Sequence, residues 1–166
     1  SAHPRIIYTD ADFEAIRKGI SGNPVLAEIH NGIIAIATSS LTAADLERKL
    51  SGKRLLDVSR NAEERILSCA YAYKTTSDRR FLEKAEHDIV TVCNFSDWNA
   101  RKHFLDVGEM AAGVALGYDW LYNELSDETK SLVCRKLNEF AFSPALGKVW
   151  NLDFYSAVNN WNQVCN

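Results

Sequence analysis

Residues 107–116 read Val-Gly-Glu-Met-Ala-Ala-Gly-Val-Ala-Leu, and Gly117 follows them directly. A helix so rich in glycine gives up roughly 1 kcal/mol of helix propensity at each glycine relative to alanine. In return, small side chains let neighbouring backbones approach closely. The stretch therefore predicts a central helix, packed on all sides, within a helical fold.

Glu109 is the one charged residue in this stretch. Burying a lone carboxylate among apolar groups is costly, so Glu109 must either face a wet cavity or pair with another group. We interpret it as a candidate substrate-binding residue. The alternative is a structural role, in a salt bridge or at the cap of a neighbouring helix.

The composition around this helix is that of one all-α domain. The chain has 166 residues, 46% of them hydrophobic and 25% charged, with only 8 glycines and 3 prolines. That length suits a single domain, and no run of alternating strand residues occurs. The net charge of −3 disfavours nucleic-acid binding through the overall charge of the protein. No apolar run approaches the ~20 residues of a membrane span, so we expect neither kind of partner.

Helical periodicity and capping residues predict seven helices. They cover residues 10–19, 25–38, 42–51, 60–75, 79–93, 103–123 and 126–142, with loops at 94–102 and 143–159. The predicted N-caps are Thr9, Ser59, Asp78 and Ser126.

Cysteine spacing argues against a metal or redox site. No Cys-x-x-Cys pair occurs among the four cysteines. Cys69, Cys93 and Cys134 lie in apolar helical patterns, which predicts buried free thiols. We expect no metal and no cofactor in this region.

Two helix pairs resemble each other at an offset of 49 residues. Tyr73 is followed four residues later by Ser77 and Asp78, and Tyr122 is followed in the same way by Ser126 and Asp127. A repeated αα-hairpin exposes an apolar face that a neighbouring hairpin must cover. The pattern predicts αα-hairpin repeats, in either an open solenoid or a closed α/α toroid. The period alone does not choose between these two.

Two clusters of residues are suited to binding an acidic sugar. His103 follows Arg101 and Lys102, close to Trp98, and such a cluster offers charge-assisted hydrogen bonds and ring stacking. An exposed basic helix start is the alternative. Near the end of the chain, Trp161 stands among amides, and an indole with carboxamides is common in carbohydrate grooves. These residues could equally join a long loop to the core.

Six segments carry a family resemblance by their order and spacing more than by any single motif. They are residues 3–6, 65–73, 78–82, 103–110, 117–122 and 160–166. Together they resemble the N-terminal region of the heparinase II/III-like polysaccharide lyases. The absence of a closing turn after residue 159 also leads us to expect a piece of a longer protein.

The resemblance implies an incomplete α/α toroid followed by antiparallel β-sheet domains, with residues 1–166 as the N-terminal portion of the toroid. It implies cleavage of uronic-acid-containing polysaccharides, of the glycosaminoglycan or alginate type, by β-elimination in a secreted or periplasmic protein. An amide or carboxyl group then neutralises the uronate, a Tyr or His removes the C5 proton, and a Tyr protonates the leaving oxygen.

Carried onto this chain, the resemblance makes Asn160 and Asn162 the candidates for uronate neutralisation. The candidate substrate contacts are His103, Glu109, Trp161 and Gln163. Many relatives have Asn followed by His, whereas Trp161 follows Asn160 here, so the choice among Asn160, Asn162 and Gln163 stays open. The family's catalytic Tyr and second His lie beyond this sequence. We therefore expect these residues to bind an acidic polysaccharide but to need the rest of the chain as a partner for turnover.

Two other functions fit the same residues. A toroidal glycoside hydrolase acting on unsaturated uronides would need paired carboxylates in one cavity, such as Glu109 with Asp106 or Asp119. A non-enzymatic helical-repeat binding module would instead present a concave surface to a peptide.

Overall fold

Eight α-helices follow one another in the residues that the computed structural model describes, 2–147 and 153–165. They are α1 (Asp10–Gly19), α2 (Pro24–Ser40), α3 (Leu56–Thr76), α4 (Arg79–Cys93), α5 (Phe104–Leu121), α6 (Asp127–Leu137), α7 (Ser143–Leu146) and α8 (Trp161–Val164). Short 3-10 turns lie at Ile20–Gly22 and Asp153–Ser156, and a π-helical turn at Asn138–Phe142 joins α6 to α7. The described part of the chain holds no β-strand, so the all-α prediction is confirmed.

Side-chain caps fix where several helices begin. Thr9 and Asp12 form a reciprocal capping box at the start of α1. The Asp78 carboxylate accepts from the Arg80 amide at 3.0 Å, and the Ser126 hydroxyl accepts from the Thr129 amide at 3.1 Å. The predicted caps of α1, α4 and α6 are therefore confirmed, because each satisfies a backbone N–H that the first helical turn leaves unpaired.

The centre of the fold is a parallel pair of helices, α3 and α5. Arg60 meets Glu109, Glu63 meets Gly113, and Ile66 meets Gly117, so the contacts advance together along both helices. A Cβ atom on Gly113 would lie 2.7 Å from the Glu63 Cα. The prediction that small residues on this helix allow close backbone approach is confirmed.

The flanking helices complete a layered arrangement. The carbonyl of Ala37 on α2 accepts from the Cys69 thiol on α3, and His30 bonds Tyr71, so α2 runs antiparallel to α3. Helix α4 follows α3 after only two residues, Ser77 and Asp78, and packs against it. Helix α2 packs on α3, α3 packs on α5, and α5 packs on α8, so these four helices follow one another in that order. Whether hairpins of this kind close into a toroid stays a prediction.

Two hydrophobic clusters fill the interior. One gathers around Phe13 and Trp120, beneath α1 and α2. The other includes Trp98, whose side chain is fully buried, donates from Nε1 to the Val92 carbonyl at 2.9 Å, and meets Phe140 edge to face. Trp98 is therefore a core residue, and the hypothesis that it stacks on a sugar beside His103 is wrong.

The predicted helix at residues 42–51 is wrong, because no helix forms anywhere between α2 and α3. Carbonyls in the connection between α2 and α3 bind distant side chains instead. The Ala44 carbonyl accepts from Arg65, and the Lys53 carbonyl accepts from Asn99. The next helix also starts earlier than predicted, at Leu56. Ser59 lies inside it and donates its hydroxyl to the Asp106 carbonyl, so Ser59 is not an N-cap.

Other sequence predictions need smaller corrections. The helix predicted over 126–142 is interrupted by the π-helical turn, and α7 and the 3-10 turn at Asp153–Ser156 lie in the predicted 143–159 loop. Cys69 and Cys93 are buried free thiols as predicted, whereas Cys134 is exposed. Among the residues described, no helix is both long and apolar enough to cross a bilayer.

An N-terminal arm, residues 3–6, is bound to the end of α5. The Asp119 carboxylate accepts from the Arg5 and Ile6 amides, each at 2.8 Å, and from the His3 ring at 2.7 Å. The Trp120 indole donates to the Ile6 carbonyl at 3.0 Å. Burial opposes ionisation of Asp119, but these hydrogen bonds outweigh burial and hold its pKa below the usual value.

We expect Asp119→Asn to lower the free energy of unfolding by about 1–2 kcal/mol at pH 7, because three hydrogen bonds lose their buried, charged acceptor. A depressed carboxyl pKa stabilises the fold above the unfolded value of about 3.9, and that contribution disappears as the pH falls through the lower folded pKa. The gap between the native protein and Asp119→Asn should therefore shrink below about pH 4. Urea unfolding at pH 7, 5 and 3 measures it, and a gap that does not change with pH would contradict the assignment.

Candidate functional site

The start of α5 is fixed by one buried carboxylate, Asp106. Its oxygens accept from the Leu55 amide at 2.6 Å, the Asn99 side-chain amide at 2.7 Å and the His103 ring at 2.5 Å. Asp106 is fully buried, and a buried charge is stable only when hydrogen bonds satisfy it. Asp106 thus joins the 41–55 connection, the loop before α5 and α5 itself.

His103 is anchored rather than free. Its ring is 11% exposed, bonds Asp106, and meets the Trp161 ring edge to face with 5.0 Å between centroids. The neighbouring Arg101 and Lys102 are exposed and line a separate concavity. The predicted cluster of three basic residues is therefore divided, with His103 packed against α8 and the other two turned elsewhere.

Helix α8 sits on α5 at Gly108. A Cβ atom at this position would lie 2.7 Å from the Val164 carbonyl oxygen, so only glycine lets α8 approach this closely. Trp161, the first residue of α8, is half-buried and packs on the core cluster around Trp98. Gly108 and His103 together fix where the Trp161 indole lies.

The amide side chains around α8 differ in their roles. Asn162 is half-buried and its amide donates to the Tyr155 carbonyl at 2.9 Å. Asn159 caps the first turn, since its side-chain oxygen accepts from the Trp161 amide at 3.0 Å. Asn160 and Gln163 are exposed beside the half-buried indole. Asn166 lies outside the described residues.

Glu109 is paired with Arg60 on α3. The guanidinium donates to both carboxylate oxygens, at 2.7 and 3.0 Å, and the carboxylate in turn raises the pKa of Arg60. Burial, and secondarily the charge of Glu109, raises the pKa of the Cys165 thiol to about 11. Glu109 therefore lies within electrostatic reach of Cys165, the residue that follows α8, while its hydrogen bonds go to Arg60 on α3.

Glu63 was not anticipated from the sequence. It is half-buried at the α3–α5 contact, and burial, together with the nearby charge of Glu109, raises its pKa. It faces inward opposite Gly113. No local motif marks such a residue, because the groups that surround it come from a helix about 50 positions further along the chain.

A cavity of about 410 Å³ opens beside α8 on the outer face of α5. Its walls are almost entirely apolar and include Phe104, Ala112, Phe142, Leu146, Tyr155 and Val164. Glu63 and Glu109 do not line it. The concavity thus offers ring faces and methyl groups. Its lining includes none of the predicted site residues His103, Asn160, Trp161, Asn162 and Gln163.

The carboxylates suggested for a glycoside hydrolase do not form a pair facing one cavity. Asp106 is enclosed by Leu55, Asn99 and His103, and Asp119 is held by the N-terminal arm. Within residues 2–147 and 153–165, no cluster of three His, Cys, Asp or Glu side chains could hold a metal ion.

Comparison with models of protein families gives no match for this chain, and comparison with curated protein sequences also gives none. The likeness to heparinase II/III-like lyases consequently stays a prediction made from the residues themselves.

Proposed function

We propose that these residues form one wall of the substrate groove of a polysaccharide lyase that cleaves uronic-acid-containing glycans by β-elimination. The observation that carries the proposal is the cluster on α8. Trp161 is half-buried and backed by His103, and the exposed amides of Asn160 and Gln163 come one residue before it and two residues after it in the chain. An indole stacks on the apolar face of a sugar ring, while carboxamides donate to its carboxylate.

The chemistry assigns different tasks to the amides. β-Elimination needs the uronate charge neutralised so that the C5 proton becomes acidic, and a side-chain amide supplies that by hydrogen bonding. Of the two amides first considered for this task, Asn160 is exposed, whereas Asn162 already donates to Tyr155. We assign carboxylate binding to Asn160, with Gln163 beside it, and a positioning role to Asn162. The base that removes the proton is expected from residues beyond 166.

A toroidal arrangement is part of the same proposal, and the register of α3 and α5 supports it. The face of α3 that α5 covers includes Ser59, Ala62, Glu63 and Ile66, and 49 residues later stand Gly108, Ala111, Ala112 and Ala115. This second set is half-buried, and three of its residues line the cavity. A further parallel helix, beginning as α8 does at Gly108, would continue the array along this face.

Binding of defined oligosaccharides tests the groove. We expect the 166-residue protein to bind a hexasaccharide of alternating uronic acid and N-acetylhexosamine more tightly than a neutral glucose hexasaccharide. Trp161→Ala should weaken binding about tenfold through lost stacking, and Asn160→Ala should remove the preference for the charged glycan. Calorimetry measures both effects.

Asn138→Ala is the matched control, because Asn138 is an exposed amide far along the chain from α8. It should bind as the native protein does. Equal affinity for charged and neutral glycans, or loss of affinity in Asn138→Ala as large as in Asn160→Ala, would contradict the proposal. Absence of any glycan binding would favour the peptide-binding module.

A further inference from the structure

A basic surface lies where the connection between α2 and α3 meets the loop before α5. Residues 48–54 read Arg-Lys-Leu-Ser-Gly-Lys-Arg, so four of the seven are basic and none is acidic. Arg101 and Lys102 add two cations from the loop. Short runs rich in lysine and arginine are typical of sites that bind polyanions. Residues 48–54, Arg101 and Lys102 together are called the basic surface below.

Two hydrogen bonds hold the connection and the loop together. The Arg48 guanidinium donates to the Asp97 carboxylate at 2.7 Å, and the Asn99 side chain donates to the Lys53 carbonyl at 2.8 Å. The two segments are therefore brought together by the fold itself, although about 50 residues separate them in the chain. A surface formed in advance loses less conformational entropy when it binds a ligand.

A concavity of about 470 Å³ opens beside these hydrogen bonds. Arg101 and Lys102 line it together with two carboxylates, Asp97 and Glu139. Each carboxylate already has a basic partner, because Asp97 pairs with Arg48 and Glu139 pairs with a lysine of α6. Arg101 and Lys102 are thus the charges that this concavity offers to a ligand.

Most cations of the basic surface lack an acidic partner. Five of them are exposed and form no ion pair within residues 2–147 and 153–165. They are Lys49, Lys53, Arg54, Arg101 and Lys102. The acidic residues nearest to the run 48–54 in the chain, Glu47 and Asp57, lie outside it. Like charges held close together repel one another, and a bound polyanion relieves that repulsion.

We propose that the basic surface binds sulfate groups of the polysaccharide, so that the glycan carries sulfate as well as uronic acid. This inference rests on the proposed function. Lys102 directly precedes His103, whose ring lies 5.0 Å from that of Trp161, so the indole and the basic surface lie at the same end of α5. Sulfate esters are permanently charged, and guanidinium and ammonium groups bind such anions through charge-assisted hydrogen bonds.

A glycan fits this surface better than a nucleic acid does. Proteins that bind single strands stack the bases on exposed aromatic rings. The aromatic residues of the concavity, Trp98 and Phe140, are instead buried. Neither residues 48–54 nor residues 97–102 form a helix that could enter the groove of a duplex.

Sulfation of a defined ligand tests the proposal. We expect the 166-residue protein to bind a sulfated hexasaccharide of alternating uronic acid and N-acetylhexosamine roughly tenfold more tightly than the same hexasaccharide without sulfate. The double variant Arg101→Ala, Lys102→Ala should lose this difference and keep its affinity for the unsulfated form. Calorimetry measures the affinities, and circular dichroism verifies that the variant keeps its helices.

The double variant Arg17→Ala, Lys18→Ala is the matched control, because it removes an exposed Arg-Lys pair from α1. It should keep the preference for sulfate. Equal affinity for the two hexasaccharides, or an equal loss in both double variants, would overturn the proposal. So would a single-stranded oligonucleotide of the same charge that binds Arg101 and Lys102 as tightly as the sulfated glycan.

Failure at α8 gives a different result. If Trp161→Ala leaves the affinity for the unsulfated hexasaccharide unchanged, the groove at α8 is wrong, whatever sulfate does. If Trp161→Ala weakens that affinity but sulfate adds nothing, the groove stands and the basic surface does not bind the glycan.

Discussion

Replacing Gly113 by valine is expected to lower the free energy of unfolding by about 3 kcal/mol or more. The new side chain would meet the Glu63 Cα, whose distance from a Cβ at this position is already 2.7 Å. That neighbour is backbone of the central α3 helix and cannot rotate away. Even Gly113→Ala should destabilise the protein, although alanine favours a helix by roughly 1 kcal/mol. Urea unfolding followed by circular dichroism measures both changes.

Gly32→Ala is the matched control, because Gly32 also lies inside a helix but has open space around it. It should stabilise the protein by roughly 0.5–1 kcal/mol through helix propensity alone. If Gly113→Ala stabilises the protein as much as Gly32→Ala does, then α3 and α5 do not approach as closely as described.

Asp88→Ala is expected to cost about 3–5 kcal/mol. The Asp88 carboxylate is fully buried and accepts two bonds from Arg65, at 2.9 and 2.8 Å, with Lys84 at 3.2 Å. Its removal strands a buried guanidinium, whose remaining partner is the Ala44 carbonyl. Thermal and urea unfolding should both show the loss.

Two controls separate this effect from a general sensitivity of α4. Glu83→Ala removes an exposed partner of Arg79 on the same helix and should change stability by less than about 0.5 kcal/mol. The double variant Arg65→Met, Asp88→Leu should be less destabilised than Asp88→Ala alone, because it leaves no unpaired guanidinium. Equal losses in Asp88→Ala and Glu83→Ala would mean that burial does not strengthen the Asp88 pair.

Local sequence signals predicted most helices. Thr9, Asp78 and Ser126 begin helices because each satisfies backbone amides within its own turn, and that chemistry is visible in a few residues. The 41–55 connection was missed because its carbonyls bind Arg65 and Asn99, which lie far along the chain. The partner of Asp88 likewise lies far from it along the chain. The neighbours of Asp88 in sequence, Glu86 and His87, are polar, and only the fold brings Arg65 to it.

The candidate site could be predicted in composition but not in arrangement. Trp161, Asn162 and Gln163 lie on α8. Glu109 pairs with Arg60, as one of its two interpretations required. The burial of His103 and Trp98 could not be predicted, because Trp161 and Phe140 reach them from other elements. Glu63 becomes apparent as a neighbour of Gly113 and Glu109 only once α3 lies beside α5.

The hydrogen bonds between residues 3–6 and Asp119 also determine when residues 3–6 can take up their folded position during synthesis. More than 110 residues separate Arg5 from the carboxylate that holds it. At about 5–20 residues per second, a ribosome would take roughly 6 to 23 seconds to produce Asp119 after Arg5. Throughout that interval residues 3–6 remain available to chaperones and modifying enzymes. They become sheltered only when the fifth helix has emerged.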